Sequence, residues 1–420
     1  MPTLSASNRS QLAIKLEGVY PTNWGVAQGG NGKFMNMTGE SLDYTIKNEQ
    51  SKQIRSDRQV QDVVQVSASA QGGINFEHQY KEYDALLEGA VQGVFTAYGT
   101  GGISAAMTGT LAMTSTTVLT ASVATAGADG FAANLNKGQW VSLIPAAGES
   151  DAVKAYLAGR AFRLSATVGP TNTVLTLDAA TPINTAIVTA PLMIGWKVSS
   201  SRMTNGTTMK SYSIEVQHQD ISQYRQYLGM IPSKMSVKLS VGSIVTGSFE
   251  FIGKAMTLAQ ATNQGAPTAA QAFTPANATR GIFDIFENGA SISATTYIKS
   301  GEFNLDNTLR AQDAVGVFGS AGVGVGTFKA GGKLEVYFAD AVMYQKLISG
   351  AASSLTIPIL DVAGNGYIYV FPRIKYTAAK VAVGGLDQDN MLSMDWEALL
   401  DIDPLSPTYG FTVAVYRVGV

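Results

Sequence analysis

The sequence predicts a mainly β protein with one clear helix and a small β-rich insertion. Three observations carry this. Only 14% of the 420 residues are charged, against about a quarter in an average chain. Glycine (44 residues), Thr, Ser, Ala and Val crowd the rest, a composition that suits short strands and many turns better than packed helices. Residues 235–251 (MSVKLSVGSIVTGSFEF) alternate apolar and polar on both sides of a Gly-Ser turn, the pattern of a long hairpin. Apolar positions spaced by three and four stand out clearly in one segment, 78–92.

The hairpin's register follows from its faces. A two-residue loop at Gly242-Ser243 would set Leu239 against Thr246 and Val237 against Ser248, mixing apolar and polar residues on both faces. A three-residue loop through Ile244 pairs Val241 with Val245, Leu239 with Gly247, Val237 with Phe249 and Met235 with Phe251. One face is then apolar or small and the other polar, so the second register is expected.

Taken in order, residues 10–20 open with a strand that breaks at Pro21 and the glycines at 29, 30 and 32. Strand alternation runs through 35–47, where Leu42, Tyr44 and Ile46 oppose Asp43, Thr45 and Lys47. Residues 48–62 (NEQSKQIRSDRQVQD) turn polar and mixed in charge, which reads as a solvated loop. Strand pattern returns at 63–77, with a bend at Gly72-Gly73. The helix over 78–92 follows, with Gly93 suited to its C-terminal cap. Residues 105–200 are a Thr- and Ala-rich island, in which the core TVLT occurs at 117–120 and again at 173–176. The repeat suggests paired strands in a small inserted β-domain, with further strands at 140–144 and 192–198. Beyond it, 212–217 read as a strand, 221–229 as a short helix or turn, and 260–279 as a long exposed loop. Strand patterns then recur at 283–286, 290–298, 303–305, 334–338, 367–371, 391–399 and 411–418.

The run MKSYSIEVQHQD, YRQYLGM and VKLSVGSIVTGSFEFIGKAM from Met209 onward resembles the bacteriophage major tail tube protein family. The later segments GEFNLDNTLRAQDAVG (301–316) and KLEVYFAD (333–340), and SLDYTIKNEQSKQIRSDRQVQDVVQVSASAQGGINFE (41–77), are similar to it as well. The resemblance is one of pattern and order, and it leaves out roughly 105–200. It implies a tail-tube-type β-sandwich flanked by an α-helix, formed by residues 1–104 and 201–420, with 105–200 as an inserted domain on the exterior. It also implies hexameric rings stacked into a hollow tube around a tape measure protein, bounded by tail tip and tail terminator proteins, with phage DNA passing through transiently. The expected location is the virion tail, assembled in the host bacterial cytoplasm, and the long non-contractile type of tail fits best.

Under that reading the polar face of the hairpin and of the 63–71 strand lines the lumen: Ser67, Ser69, Ser236, Lys238, Ser240, Thr246, Ser248 and Glu250. The polar segment becomes an inter-subunit arm carrying Glu49, Lys52, Arg55, Asp57, Arg58 and Asp62, and the loop 311–329 is a second contact candidate.

The chemistry of the rest points away from catalysis and calls for no cofactor. The absence of cysteine removes disulfides, Cys-ligated zinc and thiol nucleophiles. His78 and His218 lack ligand spacing and read as surface structural residues. There is no GxSxG elbow, and GVGVG at 322–326 lacks the lysine and frame of a phosphate loop. Asp387, Asp389, Asp395, Glu397, Asp401 and Asp403 read as solvated acidic turns rather than a divalent-cation loop, and the aromatics sit at core spacing. The formal charge of −2 gives no basic field, and a wall that DNA merely slides past needs none. No secretory signal is expected in the first residues, and no run reaches the roughly 18 apolar residues of a membrane span. Two other classes stay open: a surface or secreted β-domain that binds ligand through 105–200, and a hydrolase with an unfamiliar site.

Overall fold

The computed structural model describes residues 5–18, 20, 31–97, 110–122, 137–144, 148–157, 160–166, 174–183, 197–199, 201–279, 281, 284–383, 385–404, 406 and 408–419. The chain begins with β1 (Ser10–Leu16), β2 (Lys33–Met35), β3 (Gly39–Glu40), β4 (Asp43–Gln50), β5 (Val63–Glu77), helix α1 (Asp84–Val91) and β6 (Thr96–Ala97). Next come β7 (Thr110–Ser115), β8 (Val118–Ser122), β9 (Trp140–Ile144), α2 (Asp151–Leu157), β10 (Phe162–Arg163), β11 (Val174–Thr176) and β12 (Lys197–Ser199). The main body resumes with β13 (Ser201–Thr204), β14 (Tyr212–His218), β15 (Gln223–Ser240), β16 (Thr246–Gly253), β17 (Ala255–Ala259), β18 (Phe286–Glu287) and β19 (Ala290–Ser291). It ends with β20 (Ile298–Asp306), β21 (Arg310–Gln312), β22 (Gly322–Gly324), β23 (Lys329–Tyr337), α3 (Val342–Ser349), β24 (Ser353–Leu360), β25 (Gly366–Ala382), β26 (Met391–Ala398) and β27 (Ala414–Val418).

Two long strands organise the body, because each belongs to two layers. The second half of β15 pairs with β16 and β20, and the second half of β25 pairs with β26. This gives an antiparallel layer in the order β4–β5–β16–β15–β20–β23–β26–β25. The first half of β15 pairs instead with β14 and β17, and the first half of β25 with β24 and β27, which makes the opposing layer. Alternate residues of each layer point inward. Val237, Phe249, Phe303, Leu334 and Trp396 from the first meet Tyr227, Ile357, Tyr369 and Phe371 from the second in one core. The Phe303–Tyr369 rings lie 4.7 Å apart and Phe371–Trp396 4.8 Å. The architecture is therefore a sandwich of mainly antiparallel strands, as expected.

Bulges let the long strands change layer. Both prolines inside them sit beside register breaks, Pro232 where β15 shifts against β16 and Pro372 where β25 shifts against β24, positions at which a missing N–H costs no ladder bond. The strand read over 367–371 therefore continues through Pro372 to Ala382, and of 221–229, read as a short helix or turn, only 221–222 are turn while 223–229 belong to β15.

The hairpin register also differs from expectation. Lys238 faces Thr246, Val237 faces Gly247 and Met235 faces Phe249, two residues from the predicted pairing. Side chains keep their faces because the shift is even. The cause is tertiary: Val245 donates its N–H to Ala276 (2.9 Å) and accepts from His78 (2.8 Å), while Val241 donates to Lys299 (3.2 Å). Residues 241–245 thereby leave the ladder.

Helix α1 starts at Asp84, not at 78. Lys81 adopts φ 56° and donates its N–H to the Tyr367 hydroxyl at 2.9 Å, so 78–83 turn beneath the core. The left-handed cap is Gln92 rather than Gly93. Helices α2 and α3 were not expected; α3 buries only Met343, too little for a periodic signal. The 260–279 segment is irregular as read but not free, since Gln264 and Ala276 are buried. Phe283 lies outside the described residues, and the strand there is β18.

Within 105–200, Val118–Thr120 of the first TVLT copy pair with Val174–Thr176 of the second, Leu119 facing Leu175. This region packs on the far side of the second layer: Trp140 and Ala161 cluster with Leu360, Ile368, Tyr416 and Val418, whose neighbours in sequence face the main core. Arg163 bridges Asp178 at 2.7 Å and reaches the Gly289 carbonyl at 3.1 Å. The outer ends of the expected insertion, residues 105–109 and 200, lie outside the described residues, as do 98–104 before it.

Candidate functional site

The eight-stranded layer presents its second face to solvent. The residues expected to line a lumen lie together there: Lys238, Ser240, Thr246, Glu250 and Ser69 are exposed, and Ser67, Ser236 and Ser248 half-buried. Ser236 and Ser248, opposite one another, are 2.8 Å apart at their hydroxyls. The registers extend this face into strands that the sequence reading left out. Lys238 stands opposite Glu302, Glu302 opposite Lys333 and Lys333 opposite Asp395, a row of alternating charge across four strands. Ser300 donates to Glu335 at 2.9 Å on the same face. The signal was available in the alternation of 300–306, 331–335 and 393–397, but it is visible only once the strands are placed side by side.

Among the described residues the layer is open at both edges: β4 pairs with β5 alone, and the second half of β25 with β26 alone. At the β4 edge the Leu42 N–H donates to the Glu40 carboxylate (2.8 Å), and its carbonyl accepts from the Tyr227 hydroxyl (2.9 Å). Arg225 pairs with Glu40.

The expected arm is the far end of the β4–β5 hairpin. Glu49, Lys52, Arg55, Asp57, Arg58 and Asp62 are all exposed on it. Ser51 donates its N–H to the Asp62 carbonyl at 2.9 Å, closing the loop. Arg55 grips Asp57 through Nε (3.0 Å) and Nη2 (2.7 Å), a local pair that lowers the Asp57 carboxyl from its ordinary value. Ile54 is fully exposed at the tip, and Ile46, Val63, Val64 and Val66 are exposed along the stem. Apolar residues held in water on a projecting hairpin are unusual for a monomer's surface. The 311–329 segment forms a second hairpin, β21–β22, with Val315 and Phe318 exposed at its tip.

His78 is buried rather than at the surface as expected, whereas His218 has a structural place near the surface. His78 is 4% exposed, bonded through Nε2 to the Tyr369 hydroxyl at 3.0 Å, and burial pushes its pKa down to about 4. His218 is half-buried beside Ser5, Ser10 and Asp220. Both serine hydroxyls approach the same ring nitrogen (3.2 Å each), and Asp220 bonds Ser5 rather than the imidazole. That order cannot relay a proton from serine through histidine to aspartate; it ties the 5–10 segment to the end of β14. Glu215, fully buried, accepts from Gln217 (2.8 Å), Gln226 (2.9 Å), Thr262 (2.6 Å) and the Asn263 N–H (2.9 Å), which pins the 260s onto β14. Among the described residues no group of three or more His, Asp or Glu is placed to hold a metal, and no helix is long and apolar enough to cross a membrane.

The molecule is a mainly β sandwich with one polar face, two edges unpaired among the described residues, and projecting hairpins. The family model described as phage tail tube protein matches residues 7–398, and the chain belongs to that family. It is a structural protein of the phage virion tail. No curated protein matches the chain.

Proposed function

We propose that this chain is the major tail tube subunit, polymerising as stacked rings of six-fold symmetry into a hollow tube around a tape measure protein. Tail tip and terminator proteins bound the polymer, phage DNA crosses its lumen during ejection, and assembly takes place in the host bacterial cytoplasm. One observation carries the reading: the eight-stranded layer is dry on one face, polar on the other, and open at both edges. Unpaired edges invite pairing with another chain, and closure into a shared wall removes them.

The polar face becomes the lumen surface. Its Ser and Thr hydroxyls, and lysines interleaved with carboxylates, give little net field, so a polyanion is neither trapped nor repelled. The order of layers supports the choice of face. Polar surface, first layer, core, second layer and 105–200 region follow one another, so lining the lumen with the polar face leaves that region outside. The tip at 51–62 and the β21–β22 hairpin supply contacts within and between rings.

Electron microscopy of concentrated protein tests this. Hollow filaments with a regular axial repeat and a central channel are the expected result. Discrete particles, persisting after addition of tail-tip extract as a seed, would overturn it.

A further inference from the structure

The strand registers repeat themselves within the chain. The β4–β5 hairpin, α1, β14, β15 and β16 recur in order as the β20–β23 hairpin, α3, β24, β25 and β26. The match holds residue by residue. Phe251 lies between Pro232 and Gly72 in the first set, and Trp396 between Tyr376 and Gly332 in the second. The one-residue shift after Pro232 corresponds to that after Tyr376, and the shift between Tyr227 and Met230 to that between Phe371 and Ile374. Gly72 and Gly332 even share a reason to be glycine: a Cβ would stand 2.2 Å from the Ser41 carbonyl oxygen in one and 2.0 Å from the Glu302 oxygen in the other. Independent packing does not reproduce two bulges and a close approach at matching places; a tandem unit does.

The repetition has one gap. The second half of β15 is completed on its outer edge by β20, the first strand of the next unit, with Val237 facing Phe303 and Ser236 facing Asn304. Among the described residues the corresponding half of β25 has no such partner, and β4, which corresponds to β20, has an open edge. We propose that each chain carries two tube units in tandem and that the outer edge of β25 pairs antiparallel with β4 of a second copy. A ring of six units then contains three chains, not six. This rests on the tube reading and refines its ring: the six-fold arrangement is one of units, and the chains themselves are related by three-fold symmetry.

The internal junction dictates the register of the external one. Val381 faces Leu42 of the next copy, Ala379 faces Tyr44, and Lys380 faces Asp43. Both ends fit: Ala379, Val381 and Tyr44 are half-buried at the margin of the core, and Lys380 and Asp43 are exposed on the polar face with opposite charge. Val383, 80% exposed in the single chain, is covered by the junction. The Leu42 N–H exchanges the Glu40 carboxylate for the Val381 carbonyl, and the Leu42 carbonyl keeps a lone pair for Tyr227. The two edges differ, so the contact is head-to-tail and closes only as a ring. Three eight-stranded layers, at about 4.8 Å per strand, give a circumference of roughly 115 Å and a backbone diameter near ~37 Å for upright strands, wider when tilted.

The absence of native cysteine makes the junction directly readable. Lys380 and Asp43 would form a non-hydrogen-bonded pair with Cα atoms about 4.5 Å apart, within disulfide reach. The full chain carrying Lys380→Cys with Asp43→Cys is oxidised and run on a denaturing gel, beside wild type examined by electron microscopy. The expected result is a ladder ending at three chains, absent from either single variant. Asp43→Lys should block assembly, and adding Lys380→Asp in the same chain should restore it. Wild-type tubes whose double-cysteine variant does not cross-link, or cross-links to six chains, overturn the inference and leave the tube reading standing. If wild type forms no tube, the tube reading fails separately; soluble three-chain rings by native mass then support the junction, and any other mass overturns it.

Discussion

Acidification should unfold this protein partly through one buried imidazole. His78 sits in the core against Tyr367 and Tyr369, with ring centroids 5.3 and 6.1 Å away, and donates to or accepts from the Tyr369 hydroxyl. Of the nearby charged groups, Asp84 accepts from the Tyr367 hydroxyl and from Arg417, and the Lys81 ammonium lies over the Tyr80 ring. Burial alone lowers the pKa from the ordinary 6.5 to about 4. The folded state therefore resists a proton that the unfolded chain accepts. The stability involved is complete above pH 6.5 and is lost as pH falls toward 4, below which the loss levels off. At about 1.4 kcal/mol per pH unit the window is worth about 3 kcal/mol. Urea unfolding of the unpolymerised protein between pH 7.5 and 3.5, for wild type and His78→Gln, measures it. Carboxylates titrate alike in both, so the difference isolates His78. The wild type should lose about 3 kcal/mol more than the variant across the window. Parallel curves would refute the reasoning.

Three further outcomes follow from the packing. Gly332→Ala drives a Cβ against the Glu302 oxygen and Phe303 Cα and should cost about 3 kcal/mol in urea unfolding, whereas Gly301→Ala, whose nearest contact is the Leu334 side chain at 3.2 Å, should cost clearly less. Glu215→Leu removes the acceptor of four hydrogen bonds, so amide exchange in 260–268 should rise and stability fall by about 3 kcal/mol; protection equal to wild type would mean that the loop is held elsewhere. Deleting 51–57 removes a tip that is exposed apart from half-buried Ser51, so thermal unfolding should stay within a few degrees while filament growth stops; normal filaments would show that the arm makes no contact that assembly needs.

Much of the fold was legible because alternation survives wherever one face is dry. Met235, Val237, Phe249 and Phe251 declared the buried side of the hairpin correctly, although its register was set by Ala276, His78 and Lys299, far away in sequence. What failed were positions where tertiary contacts override local signals. Tyr80 and Tyr83 sit at helical spacing but turn into the core ahead of α1, and prolines 232 and 372 look like breaks but lie beside bulges. The polar wall was read from one half of the chain only. The other half was hidden by divergence: Phe249 is matched by Met394 and Phe251 by Trp396, so the repeat lives in the ladders rather than in the letters.

The polar face of the eight-stranded layer is proposed to line a channel. A reconstruction of the polymer by electron cryomicroscopy tests it most directly. Ser236, Lys238, Glu302 and Lys333 should point into a continuous axial lumen, with the 105–200 region outside. A tube that carries these side chains on its outer surface, or a filament with no channel, would contradict it.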